Sequence, residues 1–259
     1  MLETIRRYGS TITVFRTSDL KGEIALRLGS SGSINNMNIL AYHGMDDYKE
    51  VCRINASIYS TSPTKANGWE ISDIHNQSYG RDGWHEFIMF KDGSFLVGDI
   101  NKAEIDLSKI EFAYSVDAVV LRDGEDVCQC ASHRQQYFDQ RHPRTFWGIT
   151  ANGDYVFATA CGRLTNEQGI TGSEVREILK EYGCVYGFMN DGGKCSQMMC
   201  DGKLVNKTVT GGYYPVRNAI FVYHKEKDTA EENSSEIERL RAENQKLKEI
   251  IKSIKALIE

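Results

Sequence analysis

Two-residue turns between apolar runs constrain the fold of this chain more than any other feature. Asp92-Gly93, Asp123-Gly124 and Asn152-Gly153 readily adopt the left-handed backbone conformations that tight β-hairpins require. The apolar runs that flank these turns are residues 86–90 and 95–98, 118–121 and 127–130, and 147–150 and 155–159. Three hairpins along one chain predict a core built largely from antiparallel sheet.

One segment has the periodicity of a helix instead. Between residues 172 and 182, apolar side chains recur at the spacing of one helix face, and Gly183 ends the pattern. Thr171 and Glu174 have the spacing of an N-terminal capping box. The Gly- and Ser-rich residues 29–33 are predicted to form a flexible turn, because no Gly-Lys-Ser/Thr follows to complete a phosphate loop. The sequence therefore predicts an α+β fold with a mixed, sheet-rich core and few helices.

The C-terminal part differs in composition from the rest. Residues 225–235 are charged and small, which is typical of a linker between a globular domain at 1–224 and a tail at 236–259. Heptad core positions in the tail are filled by Ile237, Leu240, Asn244, Leu247, Ile251, Ile254 and Ile258. This pattern predicts a coiled coil that self-associates through residues 237–258. Asn244 favours a parallel dimer and Ile254 favours a higher oligomer, so dimer and trimer both stay open; a helix docked on the globular domain is the alternative.

Bulk properties exclude several functional classes. The net charge is −5, so the chain lacks the basic excess that is expected of a nucleic-acid-binding protein. No apolar run approaches the length of a membrane-spanning helix, and the first residues lack an apolar secretion core, so classical export is not expected. Seven cysteines without Cys-x-x-Cys spacing argue against both a paired disulfide framework and a structural zinc site, and favour synthesis in a reducing cytoplasm.

Residues 142–218 contain the densest group of candidate site residues. Asp191 follows an apolar strand directly and precedes two glycines, which would let the backbone approach a ligand closely. Glu174 is a second candidate carboxylate, although a capping box accounts for it without any chemistry. Arg144, Arg163 and Arg217 each lie beside a predicted strand end and could converge on a phosphate. A calcium or magnesium ion beside Asp191 is compatible with the residue types, but no spacing of ligands requires one.

Several motifs in this region, in fixed order, resemble the phosphodiester glycosidase family. They are His142-Pro-Arg-Thr, Cys161-Gly-Arg, Gly169-Ile-Thr-Gly-Ser-Glu-Val, Asn190-Asp-Gly-Gly-x-x-Ser and Arg217-x-Ala-Ile. The resemblance covers residues 140–224 and extends to Ile54-Asn55-Ala56 and Gly68. It implies that the protein hydrolyses a sugar–phosphate diester. No cofactor and no metal ligand are predicted, and whether a divalent cation accompanies the carboxylates stays open.

Individual residues carry over from that family by position. The resemblance implies that Asp191 and Glu174 are catalytic, with one carboxylate acting as acid or nucleophile at the anomeric carbon. Arginines would neutralise the diester. The substrate-binding positions implied in the same way are Arg144, Thr145, Arg163, Thr171, Gly192, Gly193, Ser196 and Arg217. The chain departs from the family at Cys161, which replaces an aspartate, and at Met189, Asn190, Lys194 and Cys195.

Two functions of different class follow from these observations. The retained carboxylates and arginines favour an enzyme that cleaves sugar–phosphate linkages in a cell-surface glycopolymer. Cys161 in place of an acid favours a glycan-binding module or a structural protein with a degenerate site. By analogy with bacteriophage tail and baseplate proteins, the linker and coiled coil indicate a virion protein, made in the host cytoplasm, with other tail proteins as possible partners.

Overall fold

The computed structural model describes residues 1–20, 22–42, 44–61, 64–72, 76–79, 84–100, 104–225, 237–247 and 250. The first strands are β1 (Leu2–Arg7), β2 (Ser10–Arg16), β3 (Glu23–Asn36), β4 (Lys49–Asn55), β5 (Tyr59–Thr61), β6 (Thr64–Ala66), β7 (Gly68–Ile71), β8 (Asn76–Tyr79), β9 (His85–Phe90), β10 (Phe95–Gly98) and β11 (Ile110–Val116). There follow β12 (Ala118–Arg122), β13 (Glu125–Cys130), β14 (Arg144–Thr150), β15 (Tyr155–Ala160), β16 (Gly162–Leu164), β17 (Glu167–Gln168), β18 (Cys184–Met189), β19 (Met198–Cys200), β20 (Lys203–Leu204) and β21 (Pro215–Lys225). The α-helices before the tail are α1 (Gln135–Phe138) and α2 (Gly172–Glu181), and residues 237–247 of the tail are also helical.

Three large antiparallel sheets form the body of the protein. A seven-stranded sheet has the order β1-β2-β15-β14-β18-β12-β13. Two five-stranded sheets have the orders β20-β19-β4-β21-β3 and β10-β9-β11-β7-β8. The hairpins β9–β10, β12–β13 and β14–β15 form at the three predicted turns. The prediction of a mixed, sheet-dominated fold is confirmed.

The central strands of the seven-stranded sheet are buried on both faces, whereas the edge strands β1 and β13 are largely exposed. One face packs Trp147, Phe157 and Phe188 against the five-stranded sheets, and these side chains are fully buried. The opposite face packs against α2, which contributes Ile178 and Leu179 to a second core cluster. Each such side chain removed from water stabilises the fold by about 1.5–3 kcal/mol. The helix and the five-stranded sheets therefore hold the central sheet between them as a rigid layer.

Helix α2 begins and ends where its sequence pattern predicts. Thr171 is the N-cap: its hydroxyl accepts a hydrogen bond from the Glu174 N–H, and the Glu174 carboxylate accepts one from the Thr171 N–H. Gly172 has to lack a side chain, because a Cβ there would lie 2.3 Å from the Phe138 ring at the end of α1. The capping box and this contact fix the helix N-terminus against the neighbouring loop.

The prediction of a flexible turn at residues 29–33 is wrong. These residues lie within β3, where the pairing moves from Asn218–Ser30 to Val216–Asn35 and residues 31–34 form a bulge. Gly32 has a φ of 76°, a conformation that glycine adopts readily, and its carbonyl accepts a hydrogen bond of 2.6 Å from Arg217. The glycine and serines accommodate a bulge within a strand. Glycine- and serine-rich composition is common to loops and to such bulges, so composition alone does not distinguish the two.

The C-terminal tail is described in part. Residues 226–235 of the predicted linker, together with residues 236, 248–249 and 251–259, lie outside the described residues. Residues 237–247 are helical, and Ile237, Leu240 and Leu247 are about half exposed. This exposure does not fit a helix docked on the globular domain, and the coiled coil stays a prediction. Among the described residues no helix is both long and apolar enough to cross a membrane.

Candidate active site

Three polar side chains meet at one edge of the seven-stranded sheet: Asp191 and Arg144, which the sequence predicted, and Asp117, which it did not. Strand β18 lies between β12 and β14 and runs antiparallel to both. Asp191 follows the end of β18, Asp117 precedes the start of β12, and Arg144 begins β14. The Asp117 N–H donates to the Met189 carbonyl at 2.7 Å, which holds this edge together. The antiparallel register alone therefore brings two carboxylates and a guanidinium to the same place.

A cleft of about 420 Å³ opens at this edge. Its lining consists of Ile58, Tyr59, Asp117, Arg134, Tyr137, His142, Arg144, Arg163, Asp191, Gly192, Gly193, Lys194, Cys195 and Tyr214. This volume lies within the range that is usual for small-molecule binding sites. Four arginine or lysine side chains face two aspartates, so the cleft carries an excess of positive charge that favours an anionic ligand.

The main chain of Asp191 is fixed by two hydrogen bonds, and this fixed main chain determines where the carboxylate lies. Its N–H donates to the Ala56 carbonyl at 2.9 Å, and the Asn55 amide donates to the Asp191 carbonyl at 2.7 Å. Burial raises the pKa of Asp191 to about 7, and the nearby Asp117 contributes in the same direction. At neutral pH the carboxyl group is therefore poised between its acid and base forms.

A buried hydrogen-bond network supports the Asp191 segment from below. The Trp147 indole N–H donates to the Tyr114 hydroxyl at 2.7 Å, and that hydroxyl donates to the Asn190 side chain at 2.9 Å. The Asn190 amide then donates to the Asn55 carbonyl at 2.8 Å. Because every member is buried, these bonds fix the strand end more firmly than exposed ones would.

Asp117 is a second carboxylate of the cleft that the sequence analysis did not single out. It is buried and accepts a hydrogen bond of 2.7 Å from Arg134, which forms an ion pair with it. The chain passes at this residue from β11 in one sheet to β12 in another. The sequence contains one feature that could have identified Asp117 as a site residue: it is a single acid inside the apolar run 116–121. A charged residue in such a run needs a partner or a function.

Arg144 is anchored by main-chain oxygens. It is 3% exposed, and it donates to the carbonyls of Ile170 at 3.1 Å, Tyr137 at 2.5 Å and Gln140 at 2.8 Å. Burial lowers its pKa to about 10, so it remains charged at neutral pH. Its Nη1 atom has no hydrogen-bond partner among the described residues. Arg144 can therefore present one N–H group to a ligand without losing its anchorage.

Arg163 and His142 form a pair at the same side of the cleft. The Arg163 guanidinium lies 2.8 Å from Nδ1 of His142. Burial, together with Arg144 and Arg163, lowers the pKa of His142 to about 4, so the imidazole is neutral at neutral pH and Nδ1 can accept from the guanidinium. Gly193 approaches closely, since a Cβ there would lie 3.2 Å from Arg163. The glycine leaves room for the exposed arginine to reach the cleft.

Of the site residues inferred from sequence, Arg144, Arg163, Asp191, Gly192 and Gly193 line the cleft. Glu174 and Thr171 do not, which corrects the expectation that Glu174 converges with Asp191. The Glu174 carboxylate bonds the Thr171 N–H and forms an ion pair with Arg141. Its capping-box role and this ion pair occupy both oxygens, so Glu174 supports α2 instead of contacting a ligand.

Arg217, Thr145 and Ser196 are also absent from the lining of the cleft. Arg217 is 1% exposed, and its Nη2 donates to Glu70 at 2.7 Å across the two five-stranded sheets. Thr145 is fully buried and donates to Asn55 at 2.6 Å. Ser196 is buried, and its hydroxyl has no hydrogen-bond partner among the residues that the structure describes. The expected phosphate contact of Arg217 is thus replaced by a structural ion pair, and Thr145 acts on the site through Asn55.

Cys161, the position where the sequence resemblance implied an aspartate in the related family, is buried and lies outside the cleft lining. Its thiol donates to the Lys207 carbonyl at 3.3 Å. Burial and the neighbouring Glu167 raise the pKa of this thiol to about 11, so it is neutral. The side chain at this position therefore does not contribute to the lining of the cleft.

The donor set of the cleft does not resemble a metal centre. No group of three or more His, Cys, Asp or Glu side chains in the described part of the chain is arranged to hold a metal ion. The two aspartates are accompanied by arginines, which occupy the space near the carboxylates with positive charge. The geometry fits recognition of an anion by guanidinium groups.

Comparison with known proteins points to one family. The model of the family described as "Phosphodiester glycosidase" matches residues 48–223, which is more than half of the chain. The catalytic domain of zebrafish N-acetylglucosamine-1-phosphodiester alpha-N-acetylglucosaminidase, a form auto-inhibited by its pro-peptide, superimposes with a TM-score of 0.70 at 15% identity, covering 88% of this chain and 82% of that one. A hypothetical protein from Synechocystis gives a TM-score of 0.58 at 14% identity, covering 86% and 61%. These structural likenesses concern the fold.

A curated relative comes from a prophage. The "SPbeta prophage-derived uncharacterized protein YomE" of Bacillus subtilis (strain 168) is 30% identical over 89 residues, which is 34% of this chain. The match spans only 14% of the length of that protein.

Proposed function

This chain belongs to the phosphodiester glycosidase family, and we propose that it hydrolyses the bond between a sugar and a phosphodiester. The observation that carries the proposal is the position of Asp191, whose pKa is raised to about 7, among arginines in one cleft. The positive charge suits the diester, and the aspartate suits proton transfer at neutral pH.

The charge that develops on the leaving phosphate and the proton that the attacking water loses require different roles of the arginines and of Asp191. Breaking the bond between the anomeric carbon and the bridging oxygen converts a phosphodiester with one negative charge into a phosphate monoester with up to two. Arg144 and Arg163 stabilise this additional charge, so the leaving group needs no acid. The attacking water has to lose a proton, and ionised Asp191 accepts it as general base. Asp117 holds Arg134 at the cleft through their ion pair.

Replacement of Asp191 by asparagine tests the assignment. Purified wild-type protein and Asp191→Asn are incubated with a glycosyl phosphodiester polymer of the teichoic acid or capsule type. Released reducing sugar and phosphate monoester ends are then measured. We expect the variant to lose roughly 100-fold or more in rate, the usual scale for a general base. Turnover that is unchanged in Asp191→Asn excludes Asp191 as the base.

A second candidate function is glycan binding without hydrolysis, and the excess of positive charge in the cleft, which suits an anionic glycan, would also support it. The presence of the two carboxylates Asp117 and Asp191 in the cleft favours the enzyme. The incubation described above separates the two functions. Polymer that is retained by the wild-type protein on an affinity column, without release of sugar or phosphate, identifies a binding module.

We further propose that the protein acts on a bacterial cell-surface glycopolymer as part of a bacteriophage particle. The supporting observation is the similarity to a prophage-derived protein over 89 residues. Such polymers repeat the sugar–phosphate linkage that the cleft is suited to bind. Mass spectrometry of purified particles from a phage that encodes this chain tests the proposal, and absence of the chain from those particles contradicts it.

The tail is proposed to join copies of the chain through residues 237–258 in a dimer or trimer. Its support is the heptad pattern and the exposure of Ile237, Leu240 and Leu247. Association would place several clefts on one particle and increase the retention of a repetitive polymer.

A further inference from the structure

Two buried cysteines face each other across strands β4 and β19. Cys52 and Cys200 are directly opposite in the antiparallel register, and their sulfur atoms lie 3.4 Å apart. The Asp201 N–H donates to the Val51 carbonyl at 3.3 Å, so the next pair along is hydrogen-bonded and the two cysteines form a non-hydrogen-bonded pair. Side chains lie closest in pairs of this kind. Because the cysteines are 148 positions apart in the chain, no spacing in the sequence indicates that they meet.

The pair has the geometry that a disulfide requires. Directly opposite residues of an antiparallel sheet have Cα atoms about 4.5–5.5 Å apart, and disulfides join Cα atoms that are about 4.4–6.8 Å apart. A sulfur–sulfur bond is about 2.05 Å long, so the sulfur atoms of Cys52 and Cys200, at 3.4 Å, need to approach by only about 1.4 Å. Side-chain rotation provides an approach of this size while the strands keep their pairing.

A second pair of cysteines competes for any oxidant. All seven cysteines are free thiols, and Cys128 and Cys130 are the two that are not buried. They lie at positions i and i+2 of the edge strand β13, and both sulfur atoms contact the Gln135 side chain, at 3.7 and 3.5 Å. Since reagents reach exposed thiols first, oxidation of this pair has to be distinguished from oxidation of Cys52 and Cys200.

Strand β19 lies near a weakly held edge of its sheet. It has three residues, and it pairs with β4 on one side and with the two-residue strand β20 on the other. Cys200 is its last residue, directly before the turn at Asp201 and Gly202, and is 6% exposed, whereas Cys52 is fully buried. Short elements at an edge open locally more readily than a core does. Cys200 is therefore the thiol that a reagent reaches when the β19–β20 hairpin opens.

The same two strands hold the main chain of Asp191. Strand β4 ends at Asn55, whose side chain donates to the Asp191 carbonyl at 2.7 Å and accepts from the Gln197 N–H at 3.1 Å. Gln197 directly precedes β19. Cys52 is three positions from Asn55, and Cys200 is three positions from Gln197. A bond between the two sulfur atoms would therefore fix the strands close to the side chains that hold Asp191.

We propose that Cys52 and Cys200 form a redox site, which a low-molecular-weight disulfide oxidises to a cross-strand disulfide that fixes β19 to β4 and restrains the segment of Asp191. The Cys200 thiolate attacks the reagent and releases one half of it as a thiol. Cys52 then displaces the second half, so the Cys52–Cys200 bond forms as the sulfur–sulfur bond of the reagent is lost. Two electrons pass to the reagent, and its two halves leave with the two protons of the cysteine thiols.

Local opening controls this reaction. Burial raises the pKa of Cys52, so its thiol is neutral and unreactive while the strands are paired. The pair stays reduced in a reducing cytoplasm and becomes cross-linked in oxidising surroundings. Once formed, the disulfide is as buried as the thiols are, which protects it from reduction.

Treatment of the full chain with oxidised glutathione tests the site. Remaining thiols are alkylated after denaturation, and the peptides are mapped by mass spectrometry without reduction. We expect a pair of peptides linked through Cys52 and Cys200. The melting temperature should rise by roughly 5–15 °C, because a cross-link that closes so long a loop restricts the unfolded chain. Exchange of the Asp191 backbone amide should slow by roughly 10-fold, since the strand ends that hold it open less often.

Each variant is compared with itself before and after oxidation, so a loss of stability in its reduced state does not affect the result. Cys200→Ala should give neither the linked peptides nor the rise in melting temperature. Cys128→Ala/Cys130→Ala is the matched control, because it removes the competing thiols and keeps the buried pair; it should give both.

Alkylated Cys52 and Cys200 in the oxidised wild type overturn the site, as does a disulfide confined to Cys128 and Cys130. A Cys52–Cys200 disulfide that leaves amide exchange at Asp191 unchanged overturns the proposed restraint of the active site. None of these readouts depends on hydrolysis, so the redox site and the proposed function stand or fail separately.

Discussion

At the scale of single residues, the raised pKa of Asp191 suits the proposed catalysis but lowers the stability of the fold when the carboxyl group is ionised. Burial raises its pKa in the folded protein to about 7, well above its usual value of 3.8. The folded state therefore binds the proton more tightly than the unfolded state does. Stability that is present at low pH is lost as the pH rises from about 4 through about 7, because the buried carboxyl group must then ionise.

Asp191→Asn is accordingly expected to raise the free energy of unfolding by roughly 1–3 kcal/mol at about pH 8, where the wild-type carboxylate is charged. The gain should be smaller at about pH 5, where the folded wild type keeps its proton. Urea unfolding followed by fluorescence at both pH values measures the difference. An asparagine variant that is less stable than the wild type at the higher pH contradicts this account of the burial.

Cys161 allows a test at the same scale of whether its position contributes to catalysis. Its thiol donates to a backbone carbonyl outside the cleft lining. Cys161→Ala should leave the rate of hydrolysis within about 2-fold of the wild type, since only one weak hydrogen bond is lost. Cys161→Asp should lower the free energy of unfolding by about 2–3 kcal/mol, because a buried carboxylate would face that carbonyl and Glu167. Thermal unfolding and initial rates test both variants; a more active Cys161→Asp would be the opposite result.

At the scale of secondary structure, the sequence predicts elements that depend on neighbouring residues better than it predicts the pairing of distant strands. The Asp-Gly and Asn-Gly hairpins and the capped helix α2 depend on neighbouring residues, so the sequence predicts them correctly. The order of strands does not follow from local pattern, because β21 pairs with β3 and β4 from the start of the chain. Asp117 was missed for the same reason: it becomes a neighbour of Asp191 only through the pairing of β12 with β18.

The ion pair between Arg217 on β21 and Glu70 on β7 connects the two five-stranded sheets. Both side chains are at most 1% exposed, and the pair is supported by hydrogen bonds from Ser30 and Asn218. Arg217→Met and Glu70→Gln should each cost about 3–5 kcal/mol of unfolding free energy, because each leaves one buried charge without its partner. The double variant Glu70→Leu/Arg217→Met should lose less than the two single losses combined. Guanidinium unfolding of the three variants measures the coupling; additive losses would indicate that the pair does not interact as one unit.

At the scale of the whole molecule, the proposed coiled coil of the tail would set how many clefts act together. A chain that ends at Lys225 keeps every strand of the three sheets and lacks all the heptads. We expect it to sediment as a monomer at concentrations where the full chain forms a dimer or trimer, since the apolar heptad positions are the associating surface. Sedimentation equilibrium over a range of concentrations distinguishes the two oligomers.

The truncated and the full chain should have the same activity per cleft but should differ in how strongly they are retained on a long polymer. The truncated chain is expected to cleave a short glycosyl phosphodiester at the rate of the full chain per cleft, because no cleft residue lies beyond Tyr214 in the described sequence. On a long polymer its apparent affinity should fall roughly 100-fold, since linked clefts bind a repeating ligand with high effective concentration. Leu240→Ala/Leu247→Ala in the full chain is the matched control and should behave like the truncation. A full chain that sediments as a monomer, or one whose retention on polymer equals that of the truncated form, would assign the exposed leucines to another role.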